Sequence, residues 1–347
     1  MLSLSVVVPI YNAIRTLPSC LAALERLDPK PLEILLVDNS STDGSVAFLR
    51  DFARGHRSFD VKVLEQPRRG AAAARNAGFQ AAKGDVIAFI DSDCAPEPAC
   101  LSYLIEPFKD PRVGAVAGRV VAAHPASTME LFSALYTLQL PDRPARTMEW
   151  NPWEGGYVTA NLTVRRALLM ELNGIDEKSV GGTAAGSDYE LCARIYALGG
   201  EIVYVPEARV AHHHRATLRG MVRQAFDYGQ SHAYLISRHL SRGLWVDLPI
   251  HPFSWKGCLV HAWVDLASAD KKVMAILIAG TLYQPALILL FIYAGWLATL
   301  TSRRAKRTGS PVPIPVAVGL AALLLLKSFA MTVGRWWGSV KYGALCL

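Results

Sequence analysis

Asp91 and Asp93 stand one residue apart at the end of an apolar run, Val86-Ile87-Ala88-Phe89-Ile90. In extended chain, residues i and i+2 point to the same side, so the two carboxylates can face one ligand together. Carboxylates held that close repel unless a cation lies beside them. A hard divalent ion with oxygen ligands suits such a pair, and it also binds phosphates. The plainer alternative is an acidic strand-to-loop junction with a solvated turn.

The run before the acids reads as a strand buried on both faces. Such strands belong to parallel sheets, and ligands collect at their carboxyl ends. The preceding chain supplies the neighbours. Ser5-Val-Val-Val-Pro9 reads as a buried strand ended by Pro9. A helix is expected from about Leu17 to Leu27, and Glu33-Ile-Leu-Leu-Val-Asp38 is a second strand ending in an acid. Asn39 to Ser45 is rich in turn and cap residues, a helix follows to about Arg54, and Val61 to Glu65 is a third strand. Gly70 to Gly78 opens an alanine-rich helix whose first amides and Arg75 make a corner suited to anions. This alternation specifies a parallel sheet with helices on both faces. Asp38 then opens on the same sheet edge as Asp91 and Asp93. A carboxylate at Asp38 suits a ribose hydroxyl or base amide, and a metal-holding pair nearby suits a diphosphate. A helix cap or turn is the alternative for Asp38.

The sequence resembles family 2 glycosyltransferases in ordered blocks. They are Val7-Val-Pro9-Ile-Tyr11-Asn12, Val37-Asp38 to Ser45, Ala74-Arg75-Asn76-Ala-Gly78 and Phe89-Ile-Asp91-Ser-Asp93. Asn161, Leu172-Asn-Gly174-Ile-Asp176-Glu177, Gly186-Ser187-Asp188 to Arg194, Gly199-Gly200, Tyr204-Val-Pro206 and Val210-Ala211-His212 follow in the same order. The likeness covers roughly residues 3 to 215. It implies an α/β fold of the GT-A type, a Rossmann-like nucleotide-diphospho-sugar transferase domain; the apolar runs after it read as C-terminal hydrophobic, transmembrane helices. It implies an inverting transferase using a nucleotide-sugar donor and Mg²⁺ or Mn²⁺. By position, Pro9 and Tyr11 would flank the base, Asp38 would hold base or ribose, and Arg75 would lie near the diphosphate. Asp91 and Asp93 would serve nucleotide and metal, His212 would lie near pyrophosphate and metal, and Asp188 would be the base. The sequence departs from the family at Ser187-Asp188, where Glu-Asp is usual, and in the small-residue run from Gly181 to Gly186. His212-His213-His214 leaves open which histidine reaches the site.

The chemistry asks for the same parts. An acceptor hydroxyl is a weak nucleophile until a carboxylate takes its proton during attack. The leaving diphosphate gains charge that a divalent ion and Arg75 neutralise. Direct attack from the opposite face needs one side-chain base.

Of 347 residues 52% are hydrophobic, with a net charge of +7 concentrated after Arg209. The cationic excess is scattered along helices and beside apolar runs, which favours anionic lipid headgroups over nucleic acid. Cys20, Cys94, Cys100, Cys192, Cys258 and Cys346 form no zinc or CxxC spacing and read as reduced thiols. The first residues lead straight into a strand, without a signal-peptide pattern. The expected location is the inner or plasma membrane, with the catalytic part facing the cytoplasm.

The expected division is a GT-A domain over 1–215, amphipathic or interfacial helices over 216–270 and membrane-anchoring hydrophobic helices over 271–347. The helix from Ala216 to about Leu240 carries Arg215, Arg219, Arg223 and Arg238 opposite its apolar face, which suits a membrane surface or packing on the catalytic domain. Trp245, Trp255 and Trp263 are of a type favoured at interfaces. Val273 to Leu300 is 28 residues without a charge, with Pro285 at its centre. Val312 to Val333 is interrupted only by Lys327. One full span over 273–300 would put Arg303-Arg304-Ala-Lys306-Arg307 on the far side, against the positive-inside tendency. Either the segment re-enters at Pro285 or the tendency is broken.

The expected function is transfer of a single sugar to a lipid-linked or cell-envelope glycan acceptor, with no nucleic-acid partner. A polyprenyl-phosphate sugar synthase is the nearest alternative. A sugar nucleotidyltransferase would need a Gly-rich loop after the first strand, where Pro9-Ile-Tyr-Asn stands instead. A non-catalytic membrane scaffold would not need Asp91, Asp93 and Asp188.

Overall fold

The computed structural model describes residues 2–55, 59–137, 142–177, 185–214, 217–248, 252–257 and 260–347. The chain divides into two compact units. One comprises Met1–His124 and Leu138–His214, the other Pro125–Thr137 and Arg215–Leu347.

In the first unit, β1 (Leu4–Ile10), α1 (Leu17–Glu25), β2 (Glu33–Asp38), α2 (Ser45–Gly55), β3 (Asp60–Glu65), α3 (Ala71–Ala81) and β4 (Val86–Ile90) alternate as the hydrophobic runs demand. β5 (Cys94–Pro96), α4 (Cys100–Ile105) and β6 (Val113–Ala122) follow. The helix α5 (Thr128–Tyr136) belongs to the second unit. The chain then returns through β7 (Ala145–Thr147), β8 (Asn161–Arg165), α6 (Arg166–Glu171), α7 (Ser187–Ala197) and β9 (Glu201–His212). Among the described residues the strands form one sheet in the order β3-β2-β1-β4-β8-β6-β9-β5, with β7 against β9. The first four are parallel, and β8 runs antiparallel to β4 and β6.

Successive residues explain the unbroken apolar runs. Val6, Val8, Ile34, Leu36, Ala88 and Ile90 pack on one face of the sheet. Val7, Leu35, Val37, Ile87 and Phe89 pack on the other. Each fully buried Val, Leu or Ile contributes about 1.5–3 kcal/mol of transfer free energy. Pro9 does not end β1, which continues to Ile10. It sits opposite Val37 in β2, beyond Val7–Phe89, where the β4 ladder stops, so its missing N–H costs no bond on that side.

The second unit holds α5, α8 (Leu218–His239), β10 (Gly243–Asp247), β11 (Phe253–Lys256) and β12 (His261–Asp265). It continues with α9 (Ala269–Leu282), α10 (Ile288–Arg307), α11 (Ile314–Tyr342) and β13 (Leu345–Cys346). Within the stretch expected as amphipathic or interfacial helix, Gly243–Asp247, Phe253–Lys256 and His261–Asp265 instead form strands of a small sheet in the order β11-β10-β12-β13. Leu244-Trp245-Val246 and Ala262-Trp263-Val264 are short apolar runs of strand length, whose tryptophans also suited an interface. Arg215, Ala216 and Cys258, and the run from Gly181 to Thr183, lie outside the described residues.

Within the second unit α8 packs along α11. A Cβ at Gly229 would collide with the carbonyl of Met331, and one at Gly334 with the carbonyl of Phe226. A Cβ at Gly338 would come to 2.9 Å from that of Ala233. Small residues at these positions let two helix backbones meet, as in membrane helix pairs. The apolar stretch over 273–300 is two helices. α9 ends at Leu282 and a 3-10 turn over Gln284–Leu287 carries Pro285 before α10 begins. Leu287 packs back where a Cβ at Gly280 would stand. By length and composition, Gln284–Arg307 and Ile314–Tyr342 are long and apolar enough to cross a membrane.

Gly78 sets the approach of α3 to β1 and β2. A Cβ there would press into Val7 Cγ1, with Val37 Cγ2 at 3.2 Å. Helix propensity alone favours Ala over Gly by about 1 kcal/mol, but overpacking a close-packed core costs about 1–3 kcal/mol. Val7 is β-branched and buried, so it cannot swing aside. Gly78→Ala is therefore expected to destabilise the protein in urea unfolding, and a stabilised variant would contradict this packing.

Candidate active site

β4 ends at Ile90, and the chain turns immediately, with Cys94 N–H donating to Asp91 O at 2.9 Å. Asp91 and Asp93 are thus held in a turn instead of side by side on an extended strand. Asp91 keeps the parity of Ile87 and Phe89 and so faces α3. There Arg75 Nη2 donates to Asp91 Oδ1 at 2.5 Å. The Arg75 side chain is 6% exposed, so this ion pair stands where charge is weakly screened. Asp93 faces the other way along the turn. β5 pairs antiparallel with β9, placing Cys94 opposite His212. His212 Nε2 consequently lies 3.5 Å from Asp93 Oδ1. His213 contributes its backbone N–H, which donates to Asp93 O at 2.8 Å. The His214 ring lies 4.6 Å from that of His212. The His212 imidazole thus meets Asp93.

Burial raises the Asp93 carboxyl above the usual range; the neighbouring Asp91 charge adds to this, while His212 opposes it. This is the electrostatic signature of two acids that want a cation. Asp93, Cys94 and His212 offer ligand atoms within 4.8 Å of one another, and Asp91 lies outside that cluster. Burial and the adjacent Asp93 push the Cys94 thiol well above its ordinary value, so it stays protonated, with Sγ 3.7 Å from Asp93 Oδ1. The pair that fits a hard divalent ion is therefore Asp93 and His212, an oxygen and an imidazole nitrogen.

Asp188 lies in the first turn of α7. Gly186, with φ 85°, caps that helix, so Asp188 is not its cap. Its Oδ1 accepts from Tyr189 N–H at 3.0 Å. Burial pushes its carboxyl up to about 6, with Arg75 opposing and Asp91 adding to the rise. Asp188, Arg75 and Asp91 thus sense one another. The other acids nearby are engaged elsewhere. Glu177 accepts from Asn76 and Arg68, each at 2.9 Å, and buried Glu190 pairs with Arg194 at 2.8 Å.

Asp38 is 3% exposed at the end of β2. One carboxylate oxygen accepts from Ser41 N–H at 3.2 Å, a turn-forming bond. The other, Oδ1, is buried with no hydrogen-bond partner among the described residues. Pro9 is buried in β1, whereas Tyr11 is 51% exposed, with the Arg69 guanidinium 5.6 Å from its ring centroid.

Several positioning residues were not singled out by type and spacing. Asn39 donates to Gln66 O and Arg68 O and accepts from Gly70 N–H at 2.7 Å. It thereby ties the β2 end to the start of α3, where Gly70 has φ 135°. Asn76 donates to Ile175 O and accepts from Ile175 N–H, both at 2.8 Å. Arg194 donates to Leu172 O and Gly174 O at 2.8 Å each. Together they fix the Leu172–Asp176 segment. Asn161, by contrast, serves the sheet, donating to Arg119 O and Ala208 O.

Residues 5–172 match the model of Glycosyl transferase family 2. A pre-mycofactocin glycosyltransferase of Mycobacterium tuberculosis is 32% identical over 245 residues, 68% of this chain and 48% of that protein. A probable glycosyltransferase of Bacillus subtilis, YdaM, is 27% identical over 245 residues, 69% of this chain and 57% of that one. The chain spans about half the length of these curated relatives. Among solved structures, mannosyltransferase PcManGT of Pyrobaculum calidifontis, in complex with GDP-Man and Mn²⁺, has a TM-score of 0.62 at 20% identity. The match covers 97% of this chain and 87% of that one, and it shows a shared fold. The chain belongs to glycosyl transferase family 2, with a GT-A-like α/β sheet and two C-terminal apolar helices.

Proposed function

We propose that this chain is a membrane-associated, inverting transferase that moves a single sugar from a nucleotide-sugar donor to a lipid-linked or envelope-glycan acceptor. The observation that carries this reading is the convergence at one sheet edge of Asp188, the Arg75–Asp91 pair and the Asp93–His212 pair. Asp188, its carboxyl raised to about 6 by burial and still ionised at neutral pH, takes the acceptor hydroxyl's proton during attack. Arg75 has a buried Nε with no partner among the described residues, a donor available to the diphosphate beside its bond to Asp91. Asp38 Oδ1, equally unpartnered, is an acceptor for a ribose hydroxyl or base amide. Pro9 and exposed Tyr11 border the base. Asp93 and His212 would hold Mg²⁺ or Mn²⁺, with Asp91 nearby. Such an ion supplies neutralisation of the charge that develops on the leaving diphosphate. The crystallised relative PcManGT holds GDP-Man and Mn²⁺, which supports this ligand class.

The membrane reading rests on the second unit. Leu282, Phe291, Ile314 and Val340 are among large apolar residues at least 75% exposed. Ala269 and Lys272 at the start of α9 and Leu300 and Arg304 towards the end of α10 line one cavity, so the two helices leave and return to the same place. α9 has 14 residues, about 21 Å at 1.5 Å per residue, short of the roughly 30 Å hydrocarbon core. We therefore read 269–307 as a hairpin that re-enters at Pro285. Its two ends share a side, and with that side cytoplasmic the basic cluster from Arg303 to Arg307 stays inside, which removes the charge conflict.

Full-length protein in detergent with Mn²⁺ and a panel of nucleotide sugars should hydrolyse or transfer from one donor class. Absence of turnover with every donor, in protein that binds nucleoside diphosphate, would refute the transferase reading. Asp93→Asn should abolish metal-dependent nucleoside diphosphate binding in calorimetry, and unchanged affinity would remove Asp93 from the metal site. Asp188→Asn should lower turnover about 10²–10⁴-fold while leaving donor affinity and melting temperature near normal. In the parent enzyme, kcat/KM should fall as pH drops through about 6, because the raised carboxyl is protonated below that value and cannot accept. A flat profile from pH 5 to 8, together with normal turnover in Asp188→Asn, would exclude it as the base.

A further inference from the structure

Lys327 is the one charge in the apolar run of α11 from Val312 to Val333, and the transfer chemistry does not use it. Its ammonium donates to Tyr136 O at 2.5 Å and to Thr137 Oγ1 at 3.1 Å, at the C-terminal end of α5. It also lines a cavity of about 350 Å³ within the second unit. Lys272, from the first turn of α9, and Arg304, from the last turn of α10, line the same cavity. The Arg304 guanidinium lies over the Tyr136 ring, 5.1 Å from its centroid. Among the described residues none of these three cations is ion-paired with a carboxylate. Their neighbour Lys271 is, 3.2 Å from Asp270, and Asp270 is further satisfied by Ser328 and Thr332 at 2.6 and 2.7 Å.

The rest of the lining is apolar or aromatic, including Trp296, Leu300, Leu324 and Met331. Lys272 also feels the Asp247 carboxylate, so the three cations are only partly compensated, and against such walls the remaining positive charge favours an anion. The complement of this cavity is an amphiphile with an anionic head and a hydrocarbon tail. Trp296 and Leu300 are 51% and 41% exposed, so the apolar wall continues onto the outer face of α10. Tryptophan and tyrosine beside basic residues also mark headgroup depth.

We propose that this cavity binds the phosphate of an anionic lipid, with the head among Lys272, Arg304 and Lys327 and the chain leaving along Trp296 and Leu300. The proposal rests on the membrane reading of the second unit given above. The shared chemistry is a lipid-borne phosphate, supplied by a polyprenyl monophosphate or by an anionic glycerophospholipid.

The test is native mass spectrometry of the full chain in detergent, titrated with polyprenyl monophosphate, phosphatidylglycerol, phosphatidylcholine or inorganic phosphate. One equivalent of polyprenyl monophosphate or phosphatidylglycerol should be retained in clear preference to phosphatidylcholine. The rank of the first two tells which source fills the site. Joint Lys272→Gln and Arg304→Gln should weaken retention by roughly tenfold or more. Lys327→Met should do likewise and also lower the melting temperature, since it releases the end of α5. Equal retention of phosphatidylcholine, unchanged retention in the folded double variant, or displacement of lipid by millimolar inorganic phosphate would each overturn the proposal. If the double variant does not fold, the lipid preference of the parent chain decides. Extraction of the chain from membranes by alkaline carbonate, with micellar lipid preference intact, would sink the bilayer reading and leave the cavity's ligand standing.

Discussion

Three carboxylates, Asp91, Asp93 and Asp188, gather at the carboxyl edge of one sheet, and their mutual repulsion is the constraint around which the first unit is built. Arg75 answers it from α3, buried and 2.5 Å from Asp91. His212 answers it from β9, 3.5 Å from Asp93. Neither suffices, since the carboxyls of Asp93 and Asp188 both remain above their ordinary values, chiefly through burial. An edge left short of positive charge in this way is primed for a divalent ion and a diphosphate, which arrive as a nearly balanced pair. Burial raises Asp188 to about 6, which leaves it ionised at neutral pH with a heightened affinity for a proton, as the proposed general base requires.

Holding Arg75 at that place requires several parts of the chain at once. Gly78 lets α3 settle against Val7 and Val37, and Asn39 fixes Gly70 at the start of the helix. Asn76, one residue on from Arg75, carries the Leu172–Asp176 segment that precedes Asp188. The second unit solves a different problem. Its helices expose large apolar side chains outward and meet one another through glycines, so the tight contacts lie between α8 and α11. That arrangement suits helices whose outer faces are covered by lipid, where close backbone packing replaces hydrophobic burial as the source of cohesion.

Much of the first unit was legible from sequence because its signals are local. Continuous apolar runs ending in Asp38 and Asp91 mark strands buried on both faces, and the two core clusters bear this out residue by residue. The family blocks added Asp188 and His212, which no local period reveals. What stayed hidden depended on contacts distant in sequence. The turn after Ile90 sends Asp91 to Arg75 and Asp93 to His212, whereas an extended-strand argument placed them side by side. The assignment of α5 to the second unit rests on Phe132 and Leu135 packing with Met221, Ala305 and Leu320, far along the chain. The strands over 243–265 were masked by tryptophans that suit either an interface or a sheet. The pairing of α8 with α11 turns on glycines, which leave no periodic mark in a hydrophobicity pattern.

The central claim is that Asp93 and His212 form the cation site near a partly buried Asp188. Anomalous diffraction at the manganese edge, from crystals grown with nucleoside diphosphate and Mn²⁺, tests it most directly. The account predicts one strong peak within coordination distance of the Asp93 carboxylate and the His212 imidazole, with the diphosphate between the metal and Arg75. A peak at Asp188, or a bound nucleotide with no metal near Asp93, would contradict it.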